Sequence, residues 1–246
     1  MPLRRPDLVA RLRTLSAACA AVALIAAVPK GMDPVNPSCP KLLGWSEAPK
    51  MTFAVRDTPD GRVLVGEGGI DEGMALRLAD ALKRNPDVGE LWLRSPGGSA
   101  ETGNAAGTLL RKQYRGLTTR VPKDWACFSA CNFVFMGGSV RVVDPGGQFV
   151  VHMFTHVGDR ENVKGEIADD LDGAVDLISD IEQSSAQLAS DDNDFLIRMG
   201  VSRKLLTEIM YKQKAAAGKG PDRSTRRCLT QAELTRYGVT NASTAQ

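Results

Sequence analysis

The sequence predicts an α/β domain with a mainly parallel sheet and a long C-terminal helix. Helical and strand patterns alternate through the middle of the chain, which is the signature of βαβ units around a parallel sheet. Between residues 164 and 199 apolar side chains recur at every third or fourth position, as they do on one face of an amphipathic helix. The chain has 246 residues, 43% of them hydrophobic, which suffices for one domain with a sizeable core.

Local patterns define the elements in chain order. Residues 51–65 alternate and β-branch on both sides of a turn at 57–61, which predicts two strands. The predicted elements that follow are a helix over 71–85, a strand over 90–94, a helix over 101–113, a strand over 117–121, a short helix over 129–136, and strands over 141–143 and 148–154. The long helix over 164–199 should break or bend near 191–194, and helices over 202–211 and 230–237 follow it.

Residues 1–30 read as a signal peptide. Arginines precede an apolar run over 15–28, and this run is shorter than the ~20 residues of a bilayer span. We therefore expect a periplasmic or exported protein. An uncleaved anchor, which would associate with a membrane, and a buried helix are the alternatives. A Pro-rich linker over 31–50, a single domain over 51–240 and a polar tail over 241–246 complete the division of the chain.

Charge and cysteine patterns exclude several classes of partner. Lys and Arg number 31 and Asp and Glu 29, spread along the chain, so we expect no nucleic-acid partner. Cys127 and Cys131 lack a second pair at metal-ligand spacing, so we expect no metal and no other cofactor. In an exported protein, the four cysteines beyond the leader allow three disulfide pairings, and we hypothesise that Cys39 pairs with Cys228.

Two short motifs contain candidate functional residues. In the segment SPGGS over 95–99, two glycines after an apolar strand can expose backbone N–H groups to a ligand, although such a pair is also typical of a plain turn. Ser129 stands where a polar stretch gives way to an apolar helix. It is therefore either a helix N-cap or a nucleophile whose target oxyanion is stabilised by the N–H groups that follow it.

The chain has only two histidines, and one of them suits a general base. His152 lies in the apolar run 149–154, where a buried strand histidine without catalytic function is the alternative. His156 stands in a polar context beside Gly158, which is typical of a solvated loop. If a serine reacts through an imidazole in this chain, His152 is the expected base.

The order of glycine loop, serine helix and histidine strand resembles the Clp protease proteolytic subunit and its relatives in the ClpP/crotonase superfamily. It is most similar to small exported bacterial proteins with a Cys-x-Ser-Ala-Cys motif. The resemblance spans 61–156 and, more faintly, 200–241, where 229–239 looks like the closing segment of that family. It implies stacked ββα units and a peptide or protein substrate. The long helix is similar to the oligomer-forming part of the protease, which implies that the chain can form a homo-oligomer. The many aspartates of this helix are instead typical of a solvated face.

Carried over by motif, the resemblance makes Ser129 the nucleophile and His152 the base, with the N–H groups of Gly98 and Ala130 as the oxyanion hole. In that family an aspartate before the closing segment is the third catalytic residue, and an ungapped alignment places no aspartate at that position of this chain. Asp222, inside an insertion, is the best candidate for this third catalytic residue.

Alternatives to this assignment stay open at the level of sequence. Asp191, Asp192 and Asp194 are outside candidates for the third member, and a dyad without an acid is the remaining possibility. An exported serine hydrolase, namely a peptidase acting through an acyl-enzyme, is the leading hypothesis. A non-catalytic envelope protein that binds peptides or a partner protein is the second, and a crotonase-type acyl-CoA enzyme is the weakest.

Overall fold

The computed structural model describes residues 31–153, 160–214 and 224–242. Its strands are β1 (Thr52–Thr58), β2 (Gly61–Glu67), β3 (Glu90–Arg94), β4 (Thr118–Val121), β5 (Ala126–Phe128), β6 (Val140–Val143), β7 (Gln148–Val151) and β8 (Arg227–Cys228). Its α-helices are α1 (Met74–Arg84), α2 (Ala100–Gln113), α3 (Cys131–Met136), α4 (Arg160–Asp169), α5 (Ala174–Met199) and α6 (Gln231–Arg236). A π-helical turn (Leu205–Ile209) and a 3₁₀ turn (Met210–Lys212) lie between α5 and α6.

The larger sheet has the strand order β1-β2-β3-β4-β6 and is mainly parallel, as the sequence predicts. Only β1 pairs in the antiparallel sense, with β2, through the turn expected at 57–61. Helices α1 and α2 each connect one parallel strand to the next. The apolar run Val63, Leu64 and Val65 of β2 is buried throughout, which is typical of a parallel strand covered on both faces.

A smaller sheet of β5, β7 and β8 carries the candidate functional residues at its ends. Strand β5 is parallel to β7, and β8 is antiparallel to it. A parallel bridge between Ser95 and Cys127 joins this sheet to the end of β3. The sequence did not predict β5 and β8, because two or three residues are too few to show a period of two.

Helix α2 packs unusually close to α3 through two glycines. A Cβ at Gly103 would lie 2.5 Å from the carbonyl oxygen of Ala130, and one at Gly107 would lie 2.2 Å from that of Phe133. A side chain at either position would therefore push α3 away. This contact holds the start of α3, directly after Ser129, against the core of the domain.

The long helix predicted over 164–199 is two helices, and the predicted break is wrong in place. The helix is interrupted between α4 and α5, where the side chain of Asp170 accepts a hydrogen bond from the Gly173 amide. Residues 191–194 instead lie inside α5 without interruption. Only the last part of α5 packs into the domain, starting at Asp192, whereas Leu171 and Val175 are exposed.

The segment 31–50 is attached to the domain rather than extended away from it. Cys39 is buried and forms a disulfide with Cys228, which confirms the hypothesised pairing. A second disulfide joins Cys127 to Cys131. None of the described helices combines the length and apolar character that a membrane crossing needs. The predicted leader over 1–30 lies outside the described residues.

Candidate active site

Ser129 occupies a sharp turn between β5 and α3. Its backbone is left-handed, with φ of 55°, and its Oγ lies 2.7 Å from Nε2 of His152. The interpretation of Ser129 as an N-cap is therefore wrong, because the N-cap of α3 is Ala130 and no side chain caps this helix. The hydroxyl of Ser129 is directed to an imidazole instead.

Backbone contacts on both sides hold Ser129 in this turn. Its amide donates a hydrogen bond to the carbonyl oxygen of Val150 on β7, and its own carbonyl accepts one from the Asn132 amide. The Asn132 side chain also donates to the Val150 carbonyl. The disulfide between Cys127 and Cys131 closes a short loop around the serine. A left-handed non-glycine residue costs about 1–3 kcal/mol, which these surrounding contacts must offset.

His152 follows β7 directly, so the sheet positions its ring beside Ser129. Its Nδ1 lies 3.0 Å from Oγ of Ser224, close before β8. The ring also packs against Phe128, with 4.7 Å between centroids, and Trp45 stacks on Phe128. The guanidinium of Arg226 lies over the rings of both Trp45 and Phe128. These contacts restrict rotation of the imidazole.

The glycine loop lies directly against Ser129. A Cβ at Gly97 would lie 2.7 Å from Cβ of Ser129 and 3.0 Å from the Ala130 nitrogen, and one at Gly98 would lie 2.2 Å from the Ile70 carbonyl oxygen. Both glycines have positive φ, so close approach and backbone conformation both require them. In the described part of the chain, no acceptor is bonded to the amide of Gly98 or of Ala130. Both N–H groups belong to the two backbone segments that pack against each other beside the serine.

The sequence and the structure give different candidates for the third catalytic residue, the one that contacts His152. Asp222 lies outside the described residues, as does His156. Of the outside candidates, Asp191 and Asp194 are exposed on α5 and Asp192 is buried, but no described hydrogen bond or ion pair joins any of them to His152.

The partner that the structure places at Nδ1 of His152 is a residue the sequence analysis missed. Ser224 is buried and contacts the ring nitrogen with its hydroxyl. No sequence signal marks this serine, since it stands in an insertion rich in Gly, Lys and Arg. Only the pairing of β8 with β7 brings it to the histidine.

A narrow apolar pocket begins at Ser129 and His152. Its walls come from α3, β7, the end of α5 and the turns that follow α5, and they comprise Asn132, Phe133, Met136, Phe149, Val151, Asp192, Leu196, Leu205, Leu206 and Met210. Its free volume is about 20 Å³, room for little more than one water molecule. Burial, and to a smaller extent the charge of Asp191, raise the pKa of the Asp192 carboxyl to about 7.

This arrangement meets the geometric requirements of acyl transfer. A hydroxyl lies within hydrogen-bond distance of an imidazole nitrogen, a second hydroxyl contacts the other ring nitrogen, and the glycine loop packs against the serine. Among the described residues no group of three or more His, Cys, Asp and Glu side chains could hold a metal ion.

No protein-family model matches this chain, and no curated protein matches it. Among solved structures, a mutant of ClpP1 from Listeria monocytogenes is similar to it. The two share 14% sequence identity over 73% of this chain and 88% of that chain, with a TM-score of 0.44. A likeness this distant supports no conclusion about activity.

Proposed function

We propose that this protein is a serine hydrolase, specifically a peptidase that acts through an acyl-enzyme on Ser129. The observation that carries the proposal is the 2.7 Å distance between Ser129 Oγ and His152 Nε2. A serine hydroxyl is a weak nucleophile at neutral pH unless a base takes its proton, and the imidazole is at hydrogen-bond distance for this transfer.

In the proposed reaction, His152 Nε2 takes the Ser129 proton as Oγ attacks the carbonyl carbon of a peptide bond. The oxyanion that forms accepts hydrogen bonds from the amides of Gly98 and Ala130. His152 then donates the proton to the leaving amine, which leaves an ester on Ser129. A water molecule, deprotonated by His152, hydrolyses this ester and restores the hydroxyl.

The base must keep its Nε2 lone pair free, so its proton must reside on Nδ1. The hydroxyl of Ser224, 3.0 Å from Nδ1, can accept that proton in a hydrogen bond and thereby select the tautomer. We assign Ser224 as a positioning residue. Asp222, only two residues earlier in the chain, remains our proposed third member, which would stabilise the imidazolium by its charge.

The proposal includes a fold family, an assembly and a location. We place the chain among ClpP-like proteins with stacked ββα units, on the strength of its motif order and mainly parallel sheet.

A homo-oligomer is proposed because Leu171, Val175 and Ile178 present apolar side chains to solvent. Export to the periplasm is supported by two disulfides, which persist mainly in oxidising compartments. The N-terminal segment is the part that would associate with a membrane.

Labelling with a fluorophosphonate tests the hydrolase proposal, because this reagent phosphonylates only serines that are activated by a base. Wild-type protein should be labelled, and Ser129→Ala should not be. Ser184→Ala, which removes an exposed hydroxyl on α5, is the matched control and should be labelled like wild type. Folded wild type that stays unlabelled would overturn the proposal.

The second candidate function is a non-catalytic envelope protein that binds peptides or a partner protein. The narrow pocket favours it, because a free volume of about 20 Å³ admits no substrate side chain without movement of the walls. The same labelling experiment separates the two functions. A non-catalytic protein has no activated serine and reacts no faster than Ser129→Ala.

A further inference from the structure

Two hydrogen-bond acceptors that have no partner among the described residues line the pocket beside Ser129. Asp192 is 2% exposed and lies between this pocket and a more open, polar one formed by α2 and α5, and none of the described residues forms a hydrogen bond or ion pair with its carboxyl. The Oδ1 atom of Asn132 is fully buried and also has no partner there, although Nδ2 of the same side chain donates to Val150. Buried polar groups are paired in the great majority of cases, so two such groups in one pocket call for an explanation.

Packing alone does not account for an aspartate at this position. The neighbours of Asp192 in the pocket are largely apolar, and a carboxylate buried there without a partner destabilises the fold. The side chains that follow on the buried face of α5, Phe195, Leu196 and Met199, are all apolar. Residue 192 is the one position of this face where the helix presents a charge to the interior.

The chemistry of the two groups restricts what the pocket can bind. A carboxylate and an amide oxygen both accept hydrogen bonds, and the donors of Asn132, Ser129 and His152 that line the pocket are already engaged. A complementary ligand therefore has donors and no acceptor. Among protein side chains this describes lysine and arginine. Lysine carries its ammonium on a slender unbranched stem, which suits narrow apolar walls better than the planar fork of arginine.

We propose that this pocket binds the lysine side chain of the residue whose carbonyl carbon Ser129 attacks, with the ammonium between Asp192 and Asn132 Oδ1. This inference rests on the proposed peptidase function and specifies its substrate class. Ser129 and His152 line the same pocket as Asp192 and Asn132, so a substrate residue bound for attack can direct its side chain into it. The ammonium then supplies donors to both acceptors that the fold leaves unpaired.

The pocket must widen to admit this side chain. Met136 and Met210 belong to its walls, and Met210 lies on the 3₁₀ turn that follows the π-helical turn after α5. Methionine side chains are unbranched and adopt several rotamers, so they can move aside without rearrangement of the backbone. Tyr211, next to Met210, has its pKa raised first by burial and then by the negative charge of Asp192, which places this turn close to the carboxylate.

Two diphenyl phosphonate probes test the inference directly. One carries a lysine side chain next to the phosphorus and the other a norleucine side chain, which has the same stem without the ammonium. Wild type should react with the lysine probe about tenfold faster or more, as expected for a charge-assisted hydrogen bond in a desolvated site. In Asp192→Asn this ratio should fall to about one. Asp194→Asn removes an exposed carboxylate from the same helix and should keep the wild-type ratio.

Equal rates for the two probes on wild type, or a lysine preference that persists in Asp192→Asn, would overturn the lysine specificity. The wild-type comparison requires no substitution, so a misfolded variant leaves it decisive. A general fluorophosphonate applied in parallel separates the hydrolase activity from the lysine specificity. Wild type labelled by this reagent without a lysine preference keeps the hydrolase and loses only the specificity. Wild type labelled by none of the three reagents loses both.

Discussion

The Oγ atom of Ser129 lies 2.7 Å from Nε2 of His152, and this contact depends on a left-handed backbone at the serine. Strand β5 ends one residue before Ser129, and the N-cap of α3 follows one residue after it. A regular strand or helix through this position would turn the hydroxyl elsewhere. A strained turn therefore directs the serine hydroxyl to the imidazole, and the domain must offset the cost of that turn.

Removing the strain at position 129 should stabilise the protein. Glycine adopts positive φ without penalty, so we expect Ser129→Gly to be more stable than Ser129→Ala by about 0.5–1 kcal/mol. Both variants lose the hydroxyl and should be unlabelled by a fluorophosphonate. Urea denaturation of the two variants measures the difference in the free energy of unfolding. An alanine variant as stable as the glycine variant would contradict a strained serine.

The two residues proposed to act on His152 Nδ1 should differ in how much activity they control. Ser224→Ala removes a neutral hydrogen bond, worth about 1 kcal/mol, and should lower the labelling rate about fivefold. If Asp222 is the charged third member, Asp222→Asn should lower it by about 10³-fold or more. With a peptide substrate, kcat should fall in both variants while KM stays unchanged. A larger loss in Ser224→Ala than in Asp222→Asn would reverse the two roles.

The stability of the protein should depend on the ionisation of Asp192. Its pKa is raised from 3.8 to about 7 in the fold, so the folded state favours the neutral carboxyl. The loss of stability from ionising this buried carboxyl is absent below about pH 4, grows between about pH 4 and pH 7, and is complete above about pH 7. Asp192→Asn should therefore be more stable than wild type by up to about 4 kcal/mol at pH 8, and by far less at pH 4.5.

Denaturation curves at pH 4.5 and pH 8 measure this difference for wild type and variant. Subtracting the two proteins cancels the titration of groups that they share. Asp194→Asn serves again as the control, because its carboxylate is exposed and its loss should shift stability little at either pH. A stability gain for Asp192→Asn that is the same at both pH values would count against a buried carboxyl that ionises near neutrality.

The disulfide between Cys39 and Cys228 should support the site as well as the fold. It holds β8, which lies close after Ser224, and the Cys228 amide also donates to the Ser38 hydroxyl. Replacing Cys39 and Cys228 by serine should cost about 2–5 kcal/mol of stability. We also expect slower fluorophosphonate labelling at a temperature where the variant remains folded. Labelling at the wild-type rate would mean that strand pairing alone keeps Ser224 on His152.

The predicted elements of the larger sheet and of helices α1, α2 and α6 came from patterns within single segments. Strand 90–94 and the helix over 101–113 lie almost where periodicity placed them. The break in the long helix was misplaced, because a run of aspartates near 191–194 resembles a helix end although residues 192, 195 and 196 pack into the domain. Packing of this kind overrides local preference, and no single segment records it.

Patterns within single segments predicted only part of the candidate site. His152 could be identified because the chain has just one other histidine. Ser129 could be identified because small residues flank it. The sequence did not predict Ser224, which contacts the histidine, and it offered Asp192 only as a partner of His152, not as a residue that lines the pocket. Each is an ordinary polar residue in its own segment. Its significance depends on what the remote parts of the chain place around it.

The sequence alone determined the α/β class, the order of the elements of the larger sheet and the pair of residues most suited to nucleophilic chemistry, because these follow from periodicity, turn residues and composition. Only the tertiary structure decided that Ser129 lies in a strained turn directed at His152, that the hydroxyl of Ser224 contacts the second ring nitrogen, and that the carboxyl of Asp192 is buried without a partner among the described residues. These are distances and burial between segments far apart in the chain. They arise when strands pair and helices pack, so no local pattern contains them.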